Sequence, residues 1–236
     1  MCFQGDVMVR ERHSRNIPAL SAGDMDRLAG SRVFVAGCGG IGGNVIESLA
    51  RIGIGSLTVA DGDSFAESNL NRQILCTPDE IGRNKADAAA ERVSQIDPVI
   101  SVTAVCEALD KENAPALMAD ADLIIDCLDS VEARLMLEDA ASEAGLYVVH
   151  GAIKGWDFQA MLVPPGSGLL HDLYADACED TEKTSLPMTP AACAAIEVSL
   201  AVRYLCGHDV PPAGTLYAGS LRDMRFESID LTSGDE

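Results

Sequence analysis

The stretch GCGGIGG, Gly37 to Gly43, follows directly on the apolar run RVFVA of Arg32–Ala36. Gly37, Gly39 and Gly42 satisfy G-x-G-x-x-G between a strand-like and a helix-like segment, with Gly40 inside the same loop. In that setting a backbone can approach phosphates closely and the first amides of the helix point at them. The same glycines can also serve a tight packing turn with no ligand. Asp61 closes the next apolar run, nineteen residues after Gly42, where a carboxylate can accept from both ribose hydroxyls. Asp63 follows two residues on, and the intervening DGD also suits a plain turn. Up to this point the pyrophosphate of NAD and the triphosphate of ATP are equally well served.

Working outward from the glycines, strand signals fall at Arg32–Ala36, Ser56–Ala60, Ile100–Cys106, Asp122–Asp126 and Leu146–His150. Helical patterns lie between most of them, at Ile41–Ile52, Asn84–Gln95, Asn113–Ala119 and Val131–Ala144, and residues 17 to 30 read as a short helix stopped by Gly30. This alternation predicts a Rossmann-like, doubly wound, mostly parallel α/β sheet, with ligands at the carboxyl ends of its strands. After His150 the pattern changes to a strand at WDFQAMLV, a long polar loop from Pro164 to Pro190, an alanine-rich helix to Cys206, and short strands at TLYAGSL and MRFESIDL. These predict antiparallel strands extending the sheet, and a tail, TSGDE, that frays. The expectation is one domain over residues 1–236: a helical arm at 1–30, a nucleotide-binding core at 31–150 and a substrate-side segment at 151–236.

Composition narrows the classes. The chain has 236 residues, 47% of them apolar, enough for a sizeable core. Its 17 basic and 37 acidic residues give a net charge of −20, which disfavours nucleic acid and anionic lipid as partners. No stretch reaches the ~18 uninterrupted apolar residues of a membrane span, and the first residues lack the apolar segment of a signal peptide; a cytoplasmic protein is expected. Eight cysteines include no C-x-x-C pair, so no structural zinc is expected.

SNLNRQ, Ser68 to Gln73, separates the two nucleotides. A dinucleotide enzyme has no use for Asn, Arg and Gln just beyond its ribose carboxylate. A triphosphate carries about four negative charges, and a planar guanidinium matches phosphate oxygens. Lys85, in GRNKADAAAERV, occupies a first helical turn, where the helix dipole disfavours a cation by ~0.3–1 kcal/mol; contact with phosphate would account for it, and so would a solvated surface position. Asp129, in LIIDCLDS, stands just past a strand, where a carboxylate can hold Mg²⁺ on the phosphates. With Glu132 three residues on, it also resembles a helix capping box.

Taken together, GCGGIGG, TVADGD, SNLNRQ, GRNKA and DCLDS, in this order and spacing, resemble the ThiF/MoeB/HesA adenylyltransferases, relatives of the ubiquitin-activating enzymes. The resemblance runs from about Arg12 to Leu231. It implies that Asp61 holds the ATP ribose, that Asn69, Arg72, Gln73 and Lys85 surround the phosphates, and that Asp129 binds Mg²⁺. It further implies a homodimer in which an arginine near the N-terminus reaches the partner's ATP; in RHSRNI that residue is Arg15, flanked by His13 and Asn16 where the family usually has Tyr and Gln.

The implied reaction joins a carboxylate to the α-phosphate of ATP, leaving an acyl-adenylate and pyrophosphate. The implied substrate is the C-terminal glycine of a small ubiquitin-like sulfur carrier of the ThiS or MoaD kind. A carboxylate with a pKa near ~3.5 is already ionised, so the reaction needs no general base, in keeping with a sequence that offers no obvious His–Asp pair. HGAIKG and TLYAGS carry glycines that can line a channel for a slim tail, or simply mark bends. The family's zinc-binding cysteine pairs are missing. Cys178 lies among Asp176, Glu179 and Asp180, which would raise its thiol pKa, and Cys193 falls inside a helix, where packing is expected. A small-molecule or tRNA-linked carboxylate, an NAD-dependent oxidoreductase and a non-catalytic nucleotide-binding module stand as alternatives.

Overall fold

β1 (Arg32–Ala36) is the centre from which the sheet grows in both directions. The computed structural model describes residues 9–177, 184–209, 212 and 214–231. β2 (Ser56–Ala60) pairs with β1 on one side and β3 (Ser101–Val105) pairs with β2; β4 (Leu123–Asp126) pairs with β1 on the other side and β5 (Val148–Lys154) with β4, all parallel. β6 (Asp157–Val163), β7 (Thr215–Ser220) and β8 (Arg225–Asp230) continue the sheet antiparallel, giving the order β3-β2-β1-β4-β5-β6-β7-β8. The chain leaves β1 toward β2 and later returns on its other side with β4, so a crevice opens at the carboxyl ends of these two strands.

The parallel strands are buried from both faces, and their runs VFVA and LIID are apolar almost without interruption. One face is covered by α1 (Ala22–Gly30), α2 (Gly40–Ile52), α3 (Lys85–Ile96) and α7 (Met188–Leu205), with Val33, Val35, Ile46, Leu49 and Leu200 in the core. The other is covered by α4 (Ala114–Met118), α5 (Val131–Ala144) and α6 (Leu169–Leu173), around Phe34, Ile124, Leu137 and Met161. β8 is exposed at all six positions and forms one edge of the sheet, β3 forming the other. Among the described residues no helix is long and apolar enough to cross a membrane.

Three local readings change. The first helix begins at Ala22 rather than residue 17, because Ser21 and Asp24 form a reciprocal capping box. β5 runs on to Lys154 because β6 folds back along its whole length, a pairing invisible in the strand itself. The polar loop after Pro164 contains α6, whose first amides at Leu170 and His171 donate to the carboxylate of Glu138, more than thirty residues upstream. The TSGDE tail and Cys178 lie outside the described residues.

The Ser21–Asp24 box yields a test. Hydrogen bonds from the Ser21 hydroxyl and amide hold Asp24 at a pKa of about 2, below its ordinary 3.8. Since the folded value is the lower one, this carboxylate stabilises the fold above about pH 4, and the contribution fades as the pH falls through 2. Ser21→Ala should cost about 1 kcal/mol of stability at neutral pH and raise the Asp24 pKa. Urea unfolding and a carboxyl NMR titration would measure both; an unmoved Asp24 titration would show that the box does not set it.

Candidate active site

A cavity of about 1110 Å³ opens at the carboxyl ends of the parallel strands and extends over β5 to β8. Gly37, Gly39 and Gly40 form its floor. Gly37 has φ of 94°, and a Cβ there would lie 2.7 Å from the Cys127 carbonyl oxygen. A Cβ on Gly42 would fall 1.9 Å from the Gly37 carbonyl oxygen, so Gly42 lets α2 pack against the turn and does not itself line the cavity. The N-cap of α2, Gly39, supplies no side-chain cap, and helix-initial amides lack intrahelical partners. Here they face the cavity.

Asp61 is fixed by the turn it serves. Its Oδ2 accepts the Cys38 amide at 2.8 Å and its Oδ1 the Asp63 amide at 2.9 Å, leaving each oxygen a second lone pair. Lys85 is buried rather than a solvated surface lysine; its Nζ lies 2.9 Å from Asp63 Oδ2 and 4.0 Å from Asp61 Oδ1. Asn84 caps α3 ahead of it, accepting the Ala86 and Asp87 amides. Arg72 is half-buried, with Nη1 donating to the Ser68 carbonyl and Asn71 Oδ1. Gln73 is buried and lines the cavity, and its Oε1 is enclosed without a hydrogen-bond partner among the described residues. Asn69 does not line the cavity; its Oδ1 accepts the Ala66 amide and folds the loop that carries Arg72.

Asp129 is an exposed residue on the cavity wall. It does not cap α5: that role belongs to Ser130, whose hydroxyl accepts the Ala133 amide. An exposed carboxylate on the wall of the cavity floored by Gly37, Gly39 and Gly40 has the oxygen chemistry Mg²⁺ prefers.

The structure corrects one expectation directly, since a His–Asp pair exists. Asp126 at the end of β4 and His150 in β5 are both fully buried, with His150 Nδ1 2.7 Å from Asp126 Oδ2. His150 Nε2 lies 3.0 Å from the Tyr174 hydroxyl, which also receives Gln159 Nε2 at 3.0 Å and Arg134 Nη1 at 3.1 Å. A phenol that accepts twice and donates once to the imidazole is saturated, and burial holds His150 below its ordinary pKa. The network therefore braces instead of accepting protons from the cavity. Asp126 Oδ1 takes the Leu128 amide at 3.0 Å and Arg134 Nη2 donates to the Leu128 carbonyl at 2.7 Å, so the residue before Asp129 is pinned at both polar groups. None of these five residues forms a local motif; at most, Asp126 and His150 signal by being polar residues within apolar strands.

Farther along, Ala152, Ala218 and Gly219 give the cavity a wall of small residues. The glycines of HGAIKG have other uses: a Cβ on Gly151 would meet the Glu197 carboxyl group at 2.4 Å, and Gly155, with φ of 58°, makes the turn from β5 to β6. Cys193 is packed as expected, its thiol pushed well up by burial and by Glu197. Arg15 is exposed and lies away from this cavity.

Comparison with known proteins places this geometry. The ThiF family matches residues 12–236. The chain is 33% identical to the "SAMP-activating enzyme E1" of Haloferax volcanii over 97% of this chain and 88% of that protein. It is 34% identical to the "Sulfur carrier protein adenylyltransferase" of Thermus thermophilus over 91% of this chain and 84% of that protein. The crystal structure of E. coli MccB superposes with a TM-score of 0.82 at 18% identity, covering 96% of this chain and 72% of that one, a likeness of fold. With the match running from the N-terminal turn through the glycine loop to the antiparallel strands, this chain belongs to the ThiF family.

Proposed function

We propose that the protein is an ATP-dependent adenylyltransferase that activates the C-terminal carboxylate of a small ubiquitin-like sulfur carrier, with release of pyrophosphate. One observation carries the reading: Asp61, Arg72, Lys85 and an uncapped helix N-terminus share one cavity, which continues past the small residues Ala152, Ala218 and Gly219. Family membership and the names of the relatives support the same reaction.

In this reading Asp61 accepts from the ribose hydroxyls, and the amides at the start of α2 meet the phosphates. Arg72 and Lys85 neutralise the phosphate oxygens, Lys85 exchanging the Asp63 carboxylate for phosphate, and the Gln73 amide completes the cradle. Asp129 holds Mg²⁺, which when bound supplies further positive charge to those oxygens. The carrier tail lies along Ala152, Ala218 and Gly219, and its ionised carboxylate attacks the α-phosphorus as pyrophosphate leaves. The attacking group brings no proton, so positioning and charge neutralisation accomplish the step. Arg15 acts across a homodimer, in the partner's site.

ATP–pyrophosphate exchange that appears only when a carrier with a free C-terminal glycine is added would test the assignment; exchange supported instead by a small carboxylic acid would redirect it. Arg72→Ala and Lys85→Ala should each slow exchange roughly tenfold to a hundredfold, with unchanged thermal unfolding. Full exchange in both variants would place the phosphates elsewhere.

The dimer makes a separate prediction. Arg15→Ala and Asp129→Ala chains should each be nearly inactive alone. Mixed, about half of the dimers are hybrids with one intact site, so activity should return to about a quarter of wild type. No return after verified subunit exchange would mean that Arg15 does not act in trans.

A further inference from the structure

Arg15 belongs to a 3-10 turn, Glu11–Asn16, whose flanking side chains are fastened to the chain's own body. Arg10 and Arg12 converge on Asp97, a carboxylate with no exposed surface just past the end of α3. Arg10 Nη1 donates to Oδ1 at 2.9 Å and its Nη2 lies 2.6 Å from Oδ2. Arg12 Nη1 lies 2.9 Å from Oδ1 and also donates to the Ile96 carbonyl at 3.0 Å. His13 is buried, with Nε2 3.7 Å from Asp97 Oδ2. Its ring lies over Gly53, where a Cβ would come within 2.6 Å of Cε1. Asn16 donates to the Ile52 carbonyl at 3.2 Å. Arg15, between these anchors, is exposed and has no ion pair or side-chain hydrogen bond among the described residues.

The mount sits at the far end of the fold from the chain's own cavity. α2 and α3 begin at the cavity, with Gly40 and Lys85, and end at Ile52 and Ile96, where the turn is attached. At 1.5 Å per residue, the thirteen residues of α2 separate the two ends by about 20 Å, far beyond the reach of one arginine side chain. A buried carboxylate is costly unless it is paired. Asp97 therefore holds Arg10 and Arg12 against the body, and the segment between Arg10 and Asn16 has little freedom to wander. A mount of this kind also adds stability, so stability alone does not reveal its purpose.

We propose that Asp97 is a positioning residue: through Arg10, Arg12 and His13 it fixes the turn that presents Arg15 to the partner subunit's nucleotide. This rests on the trans reading of Arg15 above.

The direction of complementation tests it. Asp97→Asn keeps the shape and an oxygen to accept the Val99 amide, which Asp97 Oδ1 takes at 3.2 Å, but removes the charge. Alone, the variant should lose roughly tenfold or more of pyrophosphate exchange while binding ATP normally by calorimetry. Mixed with Asp129→Ala chains, its intact cavity receives a well-held arm, and activity should rise to about a quarter of wild type. Mixed with Arg15→Ala chains, neither cavity receives a held Arg15, and activity should stay low. Arg12→Gln, a change at the surface, should repeat the pattern more weakly and serves if Asp97→Asn unfolds. Wild-type exchange in both variants, or failure of either to recover with Asp129→Ala, would overturn the proposal. Failure of the Arg15→Ala and Asp129→Ala control pair would overturn the trans reading itself, and the role of Asp97 with it.

Discussion

The turn from β1 into α2 has no room for a side chain at two points, and most of the site follows from that restriction. At Gly37 a Cβ would strike the backbone after β4, and at Gly42 it would strike the turn itself. With both positions bare, α2 packs close enough to deliver its first amides to the cavity, and the Cys38 amide reaches the carboxylate that ends β2. The ends of three neighbouring strands are thereby tied at one place. A methyl group at Gly42 would require α2 to move, and the floor of the cavity with it.

A second layer of order lies beneath the floor. Asp126 receives both the Leu128 amide and the His150 ring, while Arg134 crosses from α5 to the Leu128 carbonyl and the Tyr174 hydroxyl. Polar groups withdrawn from water stabilise a structure only when each finds its partner. This set is satisfied almost throughout, Arg134 Nε being the exception. The arrangement gives the Asp129 loop a rigid base without adding acid–base chemistry to a reaction that needs none.

Much of this was legible in the sequence. The β1–α2 glycines, the carboxylate after β2, the cluster from Asn69 to Gln73 and Lys85 at the head of α3 are local patterns, and a local pattern survives being read one residue at a time. The parallel, doubly wound character of the sheet followed from alternation, and the family from five motifs in sequence. What escaped reading depends on partners far apart in the chain. α6 starts where Glu138 caps it, β5 is lengthened by β6, and His150 finds Asp126 only once two strands lie side by side. Asn69 illustrates the converse: its position in a motif was clear, but its oxygen folds the loop instead of facing the cavity.

The β8 edge bears on how the molecule behaves in a crowd. β8 presents one open row of backbone donors and acceptors, and Phe226 and Ile229 are exposed along it. Such an edge is a template on which another copy could add a strand. Nothing among the described residues covers it, but Arg225, Glu227 and Asp230 are interleaved with the apolar side chains, and the whole chain carries a charge of −20. The protection this edge has is electrostatic rather than steric: its own charged side chains and the net charge of the chain oppose edge-to-edge pairing. Salt weakens that defence, because at physiological strength the repulsion is screened beyond ~8 Å, and acid weakens it further by neutralising the carboxylates that supply it.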